Sequence, residues 1–343
     1  MSSPPTSRAP RFPARLAGGA ARRSEARATR IVSCGDLILD IVTRAEAPLA
    51  HGSDTPGSIR FRQGGSAANT ARWVARLGGR STFIGAVGRD AWGRRLVAAL
   101  RAADVTVHAP RVAAPSARIV ALIGSDGERS FVTERGAADQ LLPTALRPSW
   151  LRRCAVLHLP AYSLLASPLE SAARRAVELA RAGGAAVSVD LASRQPLLAA
   201  GLATSWDRIA SLEPDVLLAN AAEAGTLARG APRAGVGAAT PATALLALSP
   251  LVVVKEGAAG CRILLRGPGA GVSVALELVV AARPAHAVDT TGAGDAFDAG
   301  FLLAWAAIPR TQRLDAASVR RAAVAGNRAA TRLLTEPRPE LVS

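Results

Sequence analysis

The sequence predicts an α/β fold with a mainly parallel central sheet and a small second β-sheet. From about residue 150 onward, apolar runs of strand length alternate with amphipathic stretches of helix length: CAVLHLPAY, ESAARRAVELARAGG, AAVSVDLA, DVLLAN, a helix over 221–229, and LVVVKEG. That alternation is the pattern of βαβ units. Nearer the N-terminus, SIRFRQ, ARIVALIG and RSFVTE alternate polar and apolar residues, as strands with one wet face do. The 343 residues, 49% of them hydrophobic, suffice for a sizeable core.

Taken in order, IVSCGDLILDIV at 31–42 reads as the first strand of the central sheet, buried on both faces. Residues 43–63 hold Pro48, Gly52, Pro56 and Gly57 before SIRFRQ, and predict a short hairpin outside that sheet. GGSAANTARWVARLGG opens on glycines and continues at helical period, with Trp73, Val74 and Leu77 on one side. STFIGAVG follows as a strand and DAWGRRLVAALRAAD as a helix. ARIVALIG and RSFVTE, joined by the turn SDGE, would complete the small sheet with the hairpin. Later, GPGAG at 267–271 joins RILLR to VSVALELVV as a hairpin turn, and because no GK[ST] follows it the chain has no P-loop.

Composition excludes several classes. No apolar run is long enough for a spanning helix, so no membrane partner is expected. Cys34, Cys154 and Cys261 are odd in number and far apart, which indicates neither a disulfide framework nor a zinc site and suits a reducing, cytoplasmic setting. The net charge of +16 comes from arginine scattered along the chain, Lys255 being the sole lysine. Residues 1–30 carry seven arginines against the single acid Glu25, a net +6, and read as a disordered tail outside the fold. A transit peptide and a misassigned start share that composition. No later block of like charges occurs and aromatics are only 3%, so a nucleic-acid partner is not expected.

The stretch VDTTGAGDAFDAGFL at 288–302 places small residues between acids just before an apolar helix. Gly292 and Gly294 permit a tight backbone whose N–H groups converge at the positive end of that helix, which makes an anion hole. A carboxylate there would repel a phosphate, so Asp295 fits best as a general base, with the amides around Ala293 and Gly294 holding a transferred phosphoryl group. The alternative is an aspartate that caps the helix. Asp298, one turn on, reads as a helix-start charge without a catalytic role.

DTTGAGDAFDAGFL closely resembles the C-terminal signature of the ribokinase-like (PfkB-type) carbohydrate kinases. QGGSAAN at 63–69, FIGAVGRDAWG at 83–93, NAAE at 220–223 and VVVKEGAAG at 252–260 are similar to other family segments, in order, over residues 31–336. The resemblance implies a Rossmann-like αβα sandwich and a small β lid, formed by about 43–63 and 112–135, with 337–343 as a C-terminal tail. It also implies transfer of the ATP γ-phosphate to a hydroxyl of a sugar or sugar-like substrate.

Carried over by motif, Asp295 is the base, and Gly292, Ala293 and Gly294 form the anion hole. Asn220 and Glu223 would direct water around Mg²⁺ and the phosphates, although NxxE alone also describes an ordinary helix start. Lys255, Gly257, Gly294 and Asn327 would face the nucleotide. Asp289 would help hold a monovalent cation such as K⁺, or is a plain strand-end acid. On the sugar side, Asp40 would accept two vicinal hydroxyls, with Gly64, Gly65 and Asn69 lying against the sugar. Asp36 is a second candidate for the diol, and a strand-end acid bound to an amide is the other reading of Asp40. Arg135 would meet a polar or acidic substrate group, or is a solvated lid arginine.

Ile38 stands where ribokinase has a sugar-binding Asn, Pro160 replaces a Gly or an acid, and DLASR replaces the commoner Asp-Pro-Asn pattern. A strict ribokinase is therefore disfavoured, and fructose, 2-keto-3-deoxygluconate and nucleosides are candidate substrates. His158 reads as packing or lid support. A non-catalytic sugar-binding regulatory protein is the alternative class. Exposed lid edges allow a homodimer through the lid.

Overall fold

A computed structural model describes residues 29–124, 128–232, 240–269, 271–285, 289–336 and 340–341. The tail expected over 1–30 lies outside the described residues up to residue 28, as do residues 125–127 of the SDGE turn and most of 337–343. Arg30, counted with that tail, instead opens the first strand, its guanidinium donating to Thr82 Oγ1 at 3.1 Å and to the Trp150 carbonyl at 2.7 Å.

The central sheet has nine strands, in the spatial order Val274–Val280, Cys261–Arg266, Leu251–Lys255, Val216–Asn220, Ala186–Asp190, Val156–Pro160, Arg30–Cys34, Arg80–Ile84 and Val105–His108. All pairs are parallel except those made by Cys261–Arg266, the hairpin next to GPGAG. Strand Val105–His108 was not foreseen, since four residues at an edge carry almost no periodic signal. Helices Leu169–Ala182, Leu202–Ala210 and Ala221–Ala228 cover one face, where Val32, Leu157, Val187, Leu217 and Val252 point. Helices Ser66–Arg76, Ala293–Ala306 and Ala316–Thr335 cover the other, over Ile31, Val156, Val216 and Val253.

The strand expected over 31–42 is two strands in two sheets. Arg30–Cys34 belongs to the central sheet, whereas Ile38–Ala45 pairs with Gly57–Gly64 and Arg118–Ile123 in a separate four-stranded sheet completed by Arg129–Glu134. An unbroken apolar run reads the same whether the chain stays in one sheet or crosses to another. Gly35 marks the crossing: a Cβ there would stand 2.4 Å from Ser163 Oγ. The small sheet is the expected lid, and its edge strands carry the exposed Ile59, Phe131 and Val132.

Ala186–Asp190, Val216–Asn220 and Leu251–Lys255 each end on a polar residue, so Asp190, Asn220 and Lys255 meet at the carboxyl edge where open α/β sheets take ligands. No helix among the described residues is long and apolar enough to cross a membrane. Cys34, Cys154 and Cys261 are buried and unbridged, and burial pushes each thiol up to about 12.

The two C-terminal helices touch at glycines. A Cβ on Gly300 would stand 2.6 Å from the Ala325 carbonyl oxygen and 2.7 Å from Ala329 Cβ. Gly300→Val is expected to lower unfolding stability by about 1–3 kcal/mol through overpacking, read as a lower urea midpoint.

Candidate active site

Helix Ala293–Ala306 starts from Gly292, whose φ of 83° lies in the left-handed region, and no side chain caps it. Asp295 therefore does not serve as the helix cap. Its carboxylate reaches across to helix Ser66–Arg76: Ser66 Oγ donates to Oδ1 at 2.6 Å, and Asn69 Nδ2 donates to Oδ2 at 2.9 Å. Burial pushes the Asp295 carboxyl up to about 6, with the neighbouring Asp190 adding to the rise and the Ser66 and Asn69 bonds opposing it. Asn69, expected against the sugar, is thus a partner of Asp295. The first turn of a helix leaves its amides without intrahelical acceptors. Of these, Ala293 N–H donates to the Thr290 carbonyl at 3.1 Å, and the Gly294 and Asp295 amides follow it in the first turn.

Below this turn lies Lys255. Its Nζ donates to Asp190 Oδ1 at 2.8 Å and to Asp298 Oδ1 at 3.1 Å, and stands 3.3 Å from where a Cβ on Gly294 would be. Asp298 is accordingly no helix-start charge: it is fully buried and faces inward, because the face of the helix three residues past Asp295 turns to the sheet. Burial works against a charged Lys255, but Asp190 and Asp298 outweigh it and hold the ammonium above the ordinary lysine range. Burial, then the charge of Asp190, pushes Asp298 up, as expected of two carboxylates sharing one cation.

Asn220 and Glu223 close a double cap at the start of helix Ala221–Ala228. Asn220 Oδ1 accepts from Glu223 N–H at 2.9 Å, while Glu223 Oε2 accepts from Asn220 N–H at 2.8 Å. Glu223 is 4% exposed, and burial followed by the charge of Asp190 raises its carboxyl. Asn327, buried, donates to the Val280 carbonyl at 2.9 Å and ties the last helix to the sheet edge. Gly257, with φ 59°, opens the turn after Lys255.

The lid and the sheet edge enclose a cavity of about 1170 Å³ lined by Asp36, Asp40, Gly65, Asn69, Arg135, Tyr162, Asp289, Gly292 and Asp295. Asn220, Glu223, Lys255, Gly257 and Asn327 lie outside that lining, which separates the sugar-side candidates from the nucleotide-side ones. Gly64 is a close approach, since a Cβ there would stand 2.1 Å from Asp40 Oδ1. Arg135 is no solvated arginine: it donates to Asp36 Oδ2 at 3.2 Å and to Asp139 Oδ1 at 2.8 Å, and lies over the Tyr162 ring. Asp289 is not in a strand; its Oδ1 accepts from Thr291 N–H at 3.0 Å and Thr291 Oγ1 at 2.6 Å, and its Oδ2 lies 3.4 Å from Arg62 Nη1. Ser66, Asp190 and Tyr162 were missed. Ser66 sat unremarked inside GGSAAN, and Asp190 inside DLASR, where only the departure from a motif was noted. His158 is fully buried, and burial lowers its imidazole to about 4, in keeping with a packing role.

The model of the pfkB family of carbohydrate kinases matches residues 28–340. The chain belongs to that family. Among curated relatives, Fructokinase-1 of Oryza sativa subsp. japonica is 38% identical over 176 residues, 50% of this chain and 53% of the relative. The match thus spans about half the length of such relatives. Among solved structures, a fructokinase with bound ATP from Xylella fastidiosa superposes with a TM-score of 0.75 at 24% identity, covering 90% of this chain and 93% of that one. The adenosine kinase of Sinorhizobium meliloti does so with a TM-score of 0.73 at 24% identity, over 92% and 96%. These superpositions share the αβα sandwich with its separate small sheet, as expected of a pfkB member.

In this pfkB chain the Lys255 contacts make a direct stability prediction. Lys255→Met leaves Asp190 and Asp298 buried without their cation, and is expected to cost about 3–5 kcal/mol at pH 7 in chemical denaturation. Adding Asp298→Asn recovers part of that loss.

Proposed function

We propose that this pfkB-family protein transfers the γ-phosphoryl group of ATP to a hydroxyl of a sugar, with Asp295 as general base. The observation that carries the reading is a buried carboxylate, gripped by Ser66 and Asn69 at a helix N-terminus on the wall of the lid-covered cavity, where burial pushes it up to about 6. Asp295 would take the acceptor proton as the hydroxyl oxygen bonds to the γ-phosphorus and the bond to the bridging oxygen breaks, releasing ADP, with the Gly294 and Asp295 amides facing the charge on the transferred group.

Magnesium fits the nucleotide side in a particular way. Asp190, Glu223, Asp295 and Asp298 gather around one ammonium, an excess of negative charge that a dication would offset. No cluster of three or more potential ligands occurs among the described residues, so Mg²⁺ would be held by phosphate oxygens and through water by Glu223 and Asn220. Bound there, it would neutralise phosphate charge. Gly257 and Asn327 flank the nucleotide side, whereas the Lys255 ammonium supports it from beneath. Potassium at Asp289 fits less well, because Arg62 already brings a positive charge to that carboxylate.

For the acceptor, Asp40 on the cavity wall beside Gly64 would take a vicinal diol, and the curated fructokinase relatives favour fructose. Nucleosides are a second reading, favoured by a cavity larger than a hexose needs and by its apolar lid wall of Ile119, Ala121 and Phe131. Arg135 is engaged by two carboxylates, which counts against a dedicated site for a keto-acid. A regulatory protein without catalysis would have no use for a buried base at this position.

The test is ATP consumption with fructose, ribose, 2-keto-3-deoxygluconate and adenosine. One acceptor is expected to give turnover, and Asp295→Asn to reduce it by about 10²–10⁴-fold. No acceptor-dependent turnover, or full activity in Asp295→Asn, sinks the mechanism. The pH dependence has a definite sign: the base works ionised, so kcat/KM rises with pH through a midpoint of about 6 and falls about tenfold per unit below it.

A further inference from the structure

Ser66 is the first residue of helix Ser66–Arg76, and at that position no preceding turn offers its hydroxyl a carbonyl partner. The hydroxyl reaches out of its own helix to Asp295 Oδ1, 229 residues along the chain, at 2.6 Å. That length is typical of a charge-assisted O–H···O⁻ bond. Asn69, one turn further on, donates to the other oxygen at 2.9 Å. With one donor on each oxygen, rotation about the carboxylate is blocked, and the lone pairs left over are those open to an acceptor hydroxyl.

The charges around Asp295 make this contact consequential. Asp190, Asp298 and Glu223 face it with like charge from the sheet edge and two helices, Lys255 opposes them from beneath, and Tyr162 stands across the cavity. Most of these neighbours and the burial itself favour a neutral carboxyl, so the two short hydrogen bonds carry much of the bias toward the ionised form.

We propose that Ser66 is a positioning residue for the base: its hydroxyl fixes the plane of the Asp295 carboxylate and favours its proton-accepting form. The role rests on the kinase reading above. Nothing in the GGSAAN motif itself singled the serine out, and its contact is made only by the fold.

The test compares Ser66→Ala and Ser66→Thr with the wild type. In Ser66→Ala the acid limb of kcat/KM is expected to move up by about one pH unit, an approximately tenfold loss below pH 6 that shrinks toward zero at alkaline pH. KM for the acceptor stays near the wild-type value, because the hydroxyl acts through Asp295 and not on the sugar. Ser66→Thr keeps the donor and restores the limb, which separates loss of the hydroxyl from loss of packing. In parallel, ¹³C-labelled aspartate carboxyls are titrated by NMR, with the Asp295 signal assigned by its loss in Asp295→Asn. That measurement needs no turnover. An Asp295 titration unchanged by Ser66→Ala overturns the inference whether or not the wild type is active. A shifted titration in a chain without acceptor-dependent turnover overturns the kinase reading and supports the Ser66 contact.

Discussion

The site hangs on one ammonium. Lys255 ends strand Leu251–Lys255, Asp190 ends strand Ala186–Asp190 two places along the sheet, and Asp298 lies on helix Ala293–Ala306. Bonds of 2.8 and 3.1 Å from Nζ to these carboxylates tie the sheet edge to that helix. Because Asp298 sits one turn from Asp295, fixing the former fixes the pitch of the latter. Removing the cation would leave two buried acids side by side, so the arrangement is held by the high energy of its alternatives more than by the worth of the pair.

A second constraint brings the sugar side to the same point. The chain leaves the central sheet at Gly35, enters the lid at Ile38, returns along Gly57–Gly64, and passes through Gly65 straight into helix Ser66–Arg76. The lid and the residues that grip Asp295 are therefore one continuous segment. Asp36, at the crossing, accepts from the Ala67 amide at 3.2 Å and from Arg135, linking both lid hairpins to the start of that helix. A displacement of the lid would be felt at Ser66 and Asn69, and so at Asp295.

Much of the fold was legible because it repeats. Strands buried on both faces and helices with one apolar side give signals every few residues, and the βαβ order after residue 150 follows directly. Features without repetition were not legible. The split of 31–42 depends on which neighbours Cys34 and Ile38 find, and both halves are equally apolar. Asp295 and the glycines before it stood out on chemistry, since an acid among small residues at a helix start calls for an explanation. Asp298 gave no such cue: its burial and its partner are set by a strand 43 residues earlier. Ser66 and Asp190 have the same character, being common residues whose roles arise from contacts that only the folded chain supplies.

The composition carries one further step of the argument. Of the 42 basic side chains, Lys255 is the sole lysine, in a chain that otherwise uses arginine for positive charge. A guanidinium is broad and planar and suits bidentate partners at a surface, while an ammonium is compact and can donate in three directions. Beneath Gly294 the space is short, with Nζ 3.3 Å from the position of a Cβ, and the partners lie in different directions on a strand and a helix. An arginine there would bring a larger, planar head against that turn. The one place where the chain departs from arginine is thus a buried junction where a compact ammonium joins a strand to a helix.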